Sequence, residues 1–297
     1  MREQPVAGPS RIEPFRVQSE SRRPGLLRLD KDEAWAHRRE QIQNRCREFI
    51  PASNPVSRYR GRFRGDTALV LGNGPSLNEI DGELLDKFHT FGANGVIQKH
   101  VPDFYLLVAA AAPKVFANAP DTLGPELTLV SDTIIEQFPP SSRLVRLNSA
   151  PARYGLVDDK PLPVPARFSR RPDRIVYLGG SVLFVALQLA LFMGFSRVVL
   201  IGVDHDYGVE NHEQIYGGTT LVTPEDDKHH FTQYWPANTK LHSDLNAATR
   251  GFWLADKAFR KAGATLLNGT PGSKLQLLPT INPQDLNSWP FRAPRSK

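Results

Sequence analysis

Residues 67–77 read TALVLGNGPSL. Its first five residues are a short apolar run, which predicts a strand buried on both faces of a sheet. Gly72 and Gly74 follow at once, so the backbone can turn sharply and approach a ligand closely. Ser76, with Glu79 three residues later, predicts a capped helix beyond the turn. The free N–H groups at such a helix start favour phosphate.

The turn fits neither of two standard phosphate-binding patterns. The dinucleotide pattern GxGxxG needs a glycine where this chain has Leu77, and the P-loop needs a Gly-Lys-Ser or Gly-Lys-Thr that is absent here. A plain turn without a ligand is the alternative interpretation.

Similar apolar runs recur on either side of this stretch and alternate with helical segments. This alternation predicts an α/β, Rossmann-like fold with a mainly parallel sheet and helices on both faces. The further strands are expected at residues 90–93, 104–108, 126–131, 143–147, 175–178, 197–203 and 264–267. Ligands of such folds bind beyond the carboxyl ends of the strands, where this chain has Gly72-Asn73-Gly74, Asn94-Gly95 and Asp204-His205-Asp206.

A second turn of small residues, Gly179-Gly180-Ser181, opens a very apolar helix. It offers N–H groups to a phosphate or a carboxylate. Close packing of a helix on the sheet, which also requires glycine, explains the same residues equally well. The apolar run 181–195 is shorter than the roughly 20 residues of a membrane span and leads into a strand, so it is interpreted as a buried helix.

Five of the eight histidines lie between residues 204 and 243, among several acidic residues. These histidines are His205, His212, His229, His230 and His242. One hypothesis is a metal site of His and carboxylate ligands. The other is a general base with groups that orient the substrate. The spacing matches no standard zinc pattern, and this segment is expected to form a His-rich irregular lobe.

Three regions are predicted along the chain. Residues 1–64 form a basic N-terminal extension with one helix starting near Asp30, in which Cys46 is a packing residue. Residues 65–280 form the Rossmann-like domain, and residues 281–297 form an extended C-terminal tail. A helix is also expected from about residue 245 to 262.

The net charge of +6 is unevenly distributed. Residues 1–64 hold 15 of the 37 Lys and Arg but only 8 of the 31 Asp and Glu, whereas the remaining chain has a net charge of −1. The extension is therefore expected to be a solvated arm or to make a weak contact with an anionic membrane surface. Nucleic acid is not an expected partner because no recognition motif accompanies the arginines.

A single cysteine excludes an internal disulfide and suits a reducing compartment. The N-terminus carries no apolar segment of the secretory type. The expected location is therefore cytoplasmic, with peripheral contact at the inner membrane as the variant that the basic extension suggests. The oligomeric state is left open.

The ordered motifs resemble those of two related groups of bacterial proteins. GNGPSL after a strand, then Ala93-Asn94-Gly95, then GGSVLFVALQLALFMGF leading into VVLIGVDHDYG, looks like the MptE-like domain proteins of surface-polysaccharide gene clusters. The same order is similar to the bacterial CMP-sialic-acid transferases of lipooligosaccharide synthesis. The resemblance covers roughly residues 67–279, including NGTPGSKL at residues 268–275.

The resemblance to the transferases implies a metal-independent enzyme with no required cofactor, which binds a CMP-activated sugar as donor and a glycan as acceptor. The residues that it assigns to the donor site are Gly72, Asn73, Gly74, Ser76, Asn94, Gly180, Ser181 and Asp204.

The same resemblance implies the catalytic residues. Tyr207 and Tyr216 correspond to tyrosines that act on the leaving phosphate. The short His-Tyr-x-x-His stretch of the transferases corresponds to residues 230–234, where the first His and the aromatic residue survive and Tyr234 replaces the second His. His230 is the expected base, with His229 as the second choice.

Three functions follow as hypotheses. The first is an inverting glycosyltransferase that moves an acidic sugar from a CMP-activated donor to a cell-surface glycan. The second is the ATP-dependent 6-hydroxymethyl-dihydropterin pyrophosphokinase activity of the MptE domain, with Mg²⁺ held by Asp204, Asp206, Asp226 and Asp227. The third is a non-catalytic nucleotide-sugar-binding protein of polysaccharide assembly. This hypothesis stays open because residues 109–112 are four alanines, where MptE-like proteins often place an acidic residue.

Overall fold

The computed structural model describes most of the chain from residue 54 onward. The described residues are 54–117, 126–150, 167–206, 225–243 and 245–292, the strand residues 16–18, 156–157, 160–161 and 219–222, and the single helical positions 36 and 40. The predicted N-terminal helix and Cys46 therefore lie outside the described residues, apart from Ala36 and Glu40, which are both helical.

Twelve strands lie within these described residues. In chain order they are β1 (Arg16–Gln18), β2 (Thr67–Leu71), β3 (His89–Ala93), β4 (Phe104–Leu107), β5 (Leu127–Ser131), β6 (Leu144–Leu147), β7 (Leu156–Val157), β8 (Lys160–Pro161), β9 (Arg197–Ile201), β10 (Thr219–Val222), β11 (Lys240–Ser243) and β12 (Thr265–Asn268). The α-helices of the same part of the chain are α1 (Gly82–Asp86), α2 (Ala112–Phe116), α3 (Val182–Met193) and α4 (Leu245–Lys261).

Seven of the strands form one parallel sheet in the order β12-β9-β2-β3-β4-β5-β6. This arrangement confirms the predicted α/β, Rossmann-like fold. The predicted strand at residues 175–178 is wrong: Val176 makes one isolated bridge to Ser149 beyond the end of β6, and the chain then turns into α3.

Helices and turns cover both faces of this sheet. On one face, Ala68 and Val70 pack in the same cluster as α3 and α4. On the other face, Leu69 and Leu71 pack against residues of α1, a neighbouring 3-10 turn and Leu286. Because successive strand residues point to opposite faces, the continuous apolar run of β2 is buried on both.

The two long helices differ in how they are buried. α3 is buried around nearly its whole circumference, with 10 of its 12 residues buried, as expected for a buried helix. α4 buries one face and leaves a charged face in solvent. Both run from the carboxyl edge of the sheet to its amino edge, since each is followed directly by a parallel strand.

The packed body extends beyond both predicted domain boundaries. Val56 and Phe63 belong to the main core, so the body begins ahead of residue 65. At the other end, Leu286 is fully buried and Arg292 pairs with Asp103. The segment after residue 280 is therefore a strap across the sheet and not an extended tail, because its apolar side chains fill one face.

Part of the His-rich lobe is regular. β10 pairs antiparallel with β11 and also with β1, which brings a piece of the N-terminal extension to the lobe. Residues 225–239 follow an irregular path, as predicted. In the described part of the chain, no helix combines the length and the apolar character needed to cross a membrane.

Candidate functional site

The order of strands reverses at β2. From β2 the chain adds β3 to β6 on one side, and it later returns to add β9 and β12 on the other. β2 and β9 pair in parallel with Leu71 opposite Ile201, so both strands end at the same edge. The connections leaving two such strands diverge to opposite faces, and ligands of open α/β sheets bind in the crevice between them.

The glycine turn after β2 lies against the end of β9. The backbone N–H of Gly74 donates to the carbonyl of Gly202 at 2.9 Å. Position 74 has no room for a side chain, because a Cβ there would overlap the carboxylate of Asp204. Glycine is thus required here for the close approach of two loops.

Ser76 does not cap a helix as predicted. Its hydroxyl donates to the Asp204 carboxylate at 2.7 Å, and the residues after the turn form a five-residue 3-10 helix, Pro75–Glu79, whose N-cap is Gly74. A turn this short has little dipole, so the helix start that was expected to favour phosphate is absent here, and phosphate binding by this turn stays a prediction. Burial raises the pKa of Asp204, although hydrogen bonds from Ser76 partly oppose this effect.

Asn73 and Asn94 present two buried acceptor oxygens at the same edge. Asn73 Nδ2 donates to the carbonyl of Ala93 at 3.1 Å, which ties the end of β2 to the end of β3. Asn94 adopts a φ of 50°, and its carbonyl accepts a bond from the Tyr105 hydroxyl at 2.8 Å. The side-chain Oδ1 atoms of both asparagines are buried and meet no donor within the described residues. Buried acceptors of this kind are rare and call for a ligand or a water.

Asp227 and His230 form a hydrogen-bonded pair that sequence reasoning did not identify as such. His230 Nδ1 lies 2.5 Å from Asp227 Oδ2, and the two side chains are 9% and 0% exposed. The backbone N–H of His229 donates to the other carboxylate oxygen at 3.0 Å. Burial raises the pKa of Asp227, but the hydrogen bond and charge of His230 outweigh it and hold the pKa below its usual value.

This pair fixes which nitrogen of His230 can exchange a proton with a ligand. With Nδ1 held by the carboxylate, Nε2 is the atom for acid–base work, and the carboxylate would stabilise the imidazolium that forms. The Tyr234 ring contacts the imidazole edge-on, with centroids 4.9 Å apart, and restricts its orientation.

The segment that carries this pair is bound to the glycine turn. The N–H of Phe231 donates to the carbonyl of Asn73 at 2.9 Å, and Asn78 Nδ2 donates to the carbonyl of Phe231 at 2.8 Å. His230 is therefore one residue away from a main-chain contact with the predicted donor-binding loop. The structure brings the expected base and Asn73 together.

The second small-residue turn, Gly179-Gly180-Ser181, lies at the same edge of the sheet. It contacts α4, which in turn contacts the switch point. Ser181 caps α3 by accepting from the N–H of Leu183 at 3.2 Å. Gly180 has a φ of 78°, and a Cβ on it would be 2.6 Å from the backbone nitrogen of Ala248 in α4. At the next residue of α4, Thr249 Oγ1 lies 2.8 Å from His205 Nε2. Close packing thus accounts for Gly180, and an anion-binding role for this turn remains a prediction.

The remaining predicted site residues are mostly ones whose side chains the structure does not describe. Tyr207, Tyr216 and His212 lie outside the described residues, and His242 is described only as backbone of β11. Gly72 lies at the end of β2, where its N–H donates to the carbonyl of Ile201 at 2.7 Å.

Lys274 is a cation of this edge that the sequence did not single out. Its backbone N–H donates to the carbonyl of Asp204 at 2.9 Å, and its ammonium group pairs with Asp206 at 2.5 Å. Only its place in NGTPGSKL, after the last strand of the sheet, could have indicated it.

The four aspartates considered as magnesium ligands are each engaged elsewhere. Asp204 accepts from Ser76, and Asp206, Asp226 and Asp227 pair with Lys274, Lys228 and His230. The part of the chain that the structure describes contains no group of three or more His, Cys, Asp or Glu side chains that could hold a metal ion.

Comparisons with known proteins give few matches. No protein-family model matches the chain. No curated protein matches it either. Among solved structures, the chain is similar to the sialyltransferase CstII from Campylobacter jejuni in complex with cytidine-5'-monophosphate, with 12% identity, a TM-score of 0.40, and coverage of 73% of this chain and 85% of that one. A complex of the same enzyme with the substrate analogue CMP-3FNeuAc gives 14% identity, a TM-score of 0.38, and coverage of 73% and 86%. A likeness this weak leaves the function to be argued from the site itself.

Proposed function

We propose that this protein is a glycosyltransferase that moves an acidic sugar from a CMP-activated donor to a hydroxyl group of a cell-surface glycan. The observation that carries the proposal is the buried Asp227–His230 pair, held by main-chain hydrogen bonds on the glycine turn at the switch point of the sheet. A base beside a nucleotide-type crevice suits group transfer to a hydroxyl.

The two buried asparagine oxygens support a donor rich in hydrogen-bond donors. Asn73 Oδ1 and Asn94 Oδ1 can each accept one bond, and both lie at the ends of neighbouring strands. A cytosine amino group and the hydroxyls of ribose or sugar supply such hydrogens. The motif order shared with CMP-sialic-acid transferases favours cytidine as the base.

The reaction would be a single displacement. The acceptor oxygen attacks the anomeric carbon and forms the new C–O bond, while the bond from that carbon to the CMP phosphate oxygen breaks. The acceptor proton passes to His230 Nε2. Attack opposite to the leaving group inverts the anomeric configuration, and no metal is needed if protein groups stabilise the phosphate charge.

Protein groups near the departing phosphate would be the amides at the start of α3, together with Tyr207 and Tyr216 through the family resemblance. Asp227 is a positioning residue: it holds Nδ1 and stabilises the protonated ring. His229 is the second choice as base through the same resemblance, and its backbone N–H donates to the carboxylate of Asp227.

A direct test combines binding and turnover. We expect CMP to raise the melting temperature and the His230→Ala variant to release CMP from CMP-sialic acid about 10²–10⁴-fold more slowly with a suitable acceptor. His100→Ala is the matched control, since His100 precedes β4 at the opposite edge of the sheet and lies 3.6 Å from Asp86. This control is expected to retain full activity.

Other results would favour the alternatives. Stabilisation by ATP with Mg²⁺ but not by CMP would point to the pyrophosphokinase. Binding of CMP-sugars without turnover, together with normal surface glycan in a strain carrying His230→Ala, would point to a non-catalytic binding protein. We place the reaction in the cytoplasm, the reducing compartment that a chain with a single cysteine suits.

A further inference from the structure

Several cations of the body lie together on the exposed face of α4. The exposed face of α4 carries Arg250, Lys257, Arg260 and Lys261, and Asp256 is the single acid of the helix. Asp256 is nearly buried and pairs with Arg260 at 2.9 Å. The outer face of α4 is therefore positive over about 17 Å, from Arg250 to Lys261, although the chain after residue 64 has a net charge of −1.

A cleft continues this surface where α3 and α4 end. Its volume is about 520 Å³, and it is lined by Arg60, Ser169, Arg170, Leu191, Phe192 and Lys261. The guanidinium of Arg60 lies over the Phe192 ring at 4.8 Å, and Arg170 donates to the carbonyl of Ala258 at 3.2 Å. Three cations thus converge on one opening with a partly apolar wall.

Few carboxylates compensate this charge. Asp173 pairs with both Arg60 and Arg171, at 3.3 Å and 2.8 Å, and so balances only one of these two positive charges. Within the described ranges, no ion pair involves Arg170 or Lys261. The cleft accordingly suits a phosphate group, which Arg and Lys together bind well.

An exposed tryptophan lies in the middle of the positive face of α4. Trp253 is 48% exposed, and the ammonium of Lys257 lies 4.3 Å from its ring centre. Tryptophan among Lys and Arg on one side of a helix is typical of segments that lie in the membrane interface. Surfaces that bind single-stranded nucleic acid usually offer several aromatic rings in succession, and this face offers one.

We propose that the outer face of α4 and the adjoining cleft dock the protein on an anionic phospholipid surface. Trp253 enters the headgroup region, Arg250 and Lys257 contact anionic headgroups, and the cleft with Arg170 and Lys261 holds one headgroup phosphate. Thr249, near the start of α4, contacts His205 at the switch point, so this docking would keep the crevice beside the membrane.

The test is sedimentation of the full chain with vesicles of phosphatidylcholine containing phosphatidylglycerol. Each basic residue near an anionic leaflet is worth about fivefold in partitioning. The triple variant Arg170→Gln, Lys257→Gln, Lys261→Gln should therefore bind on the order of 100-fold more weakly than the wild type. Vesicles of phosphatidylcholine alone should bind neither protein.

A second triple variant removes the same charge from the opposite face of the sheet. It carries Lys87→Gln, Lys99→Gln and Lys114→Gln, next to α1 and on α2. We expect this variant to bind nearly as tightly as the wild type. Equal loss in both triples would mean that net charge alone drives binding, and full binding by the first triple would assign it to the N-terminal extension; either result overturns the proposal.

Fluorescence tests the role of the indole. Brominated lipid in anionic vesicles should quench the wild type and should quench the Trp253→Phe variant clearly less. Equal quenching of both proteins would contradict insertion of Trp253. Tighter binding to a single-stranded oligonucleotide than to vesicles at the same salt concentration would replace the membrane by nucleic acid as the partner.

Discussion

Arg292 joins the end of the chain to the amino edge of the sheet, and its removal gives the sharpest test of the fold. Its Nη1 lies 2.9 Å from both carboxylate oxygens of Asp103. The Asp103 side chain is 1% exposed and that of Arg292 is 15% exposed. Asp103 also accepts from the N–H of Thr90 at 2.8 Å, which aligns the starts of β3 and β4.

The Arg292→Ala variant leaves the Asp103 carboxylate buried without its cation. Removing one partner of a buried ion pair typically costs about 3–5 kcal/mol. The lower end applies here, since Thr90 still donates to the carboxylate. At roughly 2–4 °C per kcal/mol for a large domain, a loss of about 3 kcal/mol lowers the melting temperature by about 6–12 °C.

The matched control is Lys228→Ala. Lys228 pairs with Asp226 at 3.2 Å, but these side chains are 44% and 81% exposed. An exposed pair of this kind contributes about 0–1 kcal/mol, so the melting temperature should hardly change. Thermal unfolding followed by circular dichroism, with urea titration as a second measurement, compares the two variants directly. Equal and small effects would refute the conclusion that the C-terminal strap belongs to the packed body.

Three further results are expected. Asp227→Asn should lower kcat by at least about 10²-fold and change the pH–rate profile, because His230 loses the carboxylate that orients it. The fold lowers the pKa of Asp227, so the ionised carboxylate stabilises the protein above its ordinary pKa of 3.8, and this stabilisation is lost as the pH falls below 3.8. Acid should therefore lower the melting temperature of the wild type more than that of Asp227→Asn. Gly180→Ala should destabilise the protein by about 1–3 kcal/mol more than Gly263→Ala, since both glycines have φ near 70–80° but only position 180 would bring a Cβ against Ala248; equal effects in urea titrations would contradict this contact.

The central strands of the sheet could be predicted from the sequence because they are buried on both faces. Their apolar runs are short, continuous and bounded by Gly, Pro or Asn, and the observed strands agree with six of the expected seven beyond β2 to within a few residues. The exception, residues 175–178, has the same composition but no partner strand along its length. The composition of a segment indicates that it is buried, but not whether it pairs with another strand.

The site could be predicted only in part, since its contacts join distant positions. Ser76 has the sequence context of a helix cap, but its hydroxyl bonds Asp204, 128 residues later. The Asp227–His230 pair is local, and its spacing of three was visible, yet nothing in the spacing distinguished it from the other acids of the lobe. The positive surface on α4 was not predicted, because only the net charge of the body was considered. A net charge does not show how the fold distributes positive and negative side chains over the surface.

The position of β2 between β3 and β9 has a consequence for biosynthesis. One edge of β2 can pair as soon as residue 93 has been made, whereas the other waits for residues 197–201. The crevice is built from both sides, so a nascent chain lacking β9 would expose the second edge of a central apolar strand and have no ligand site. Parallel pairing over such a separation is slow. Nascent chains that contain β2 and β3 but not yet β9 should therefore depend most on chaperones.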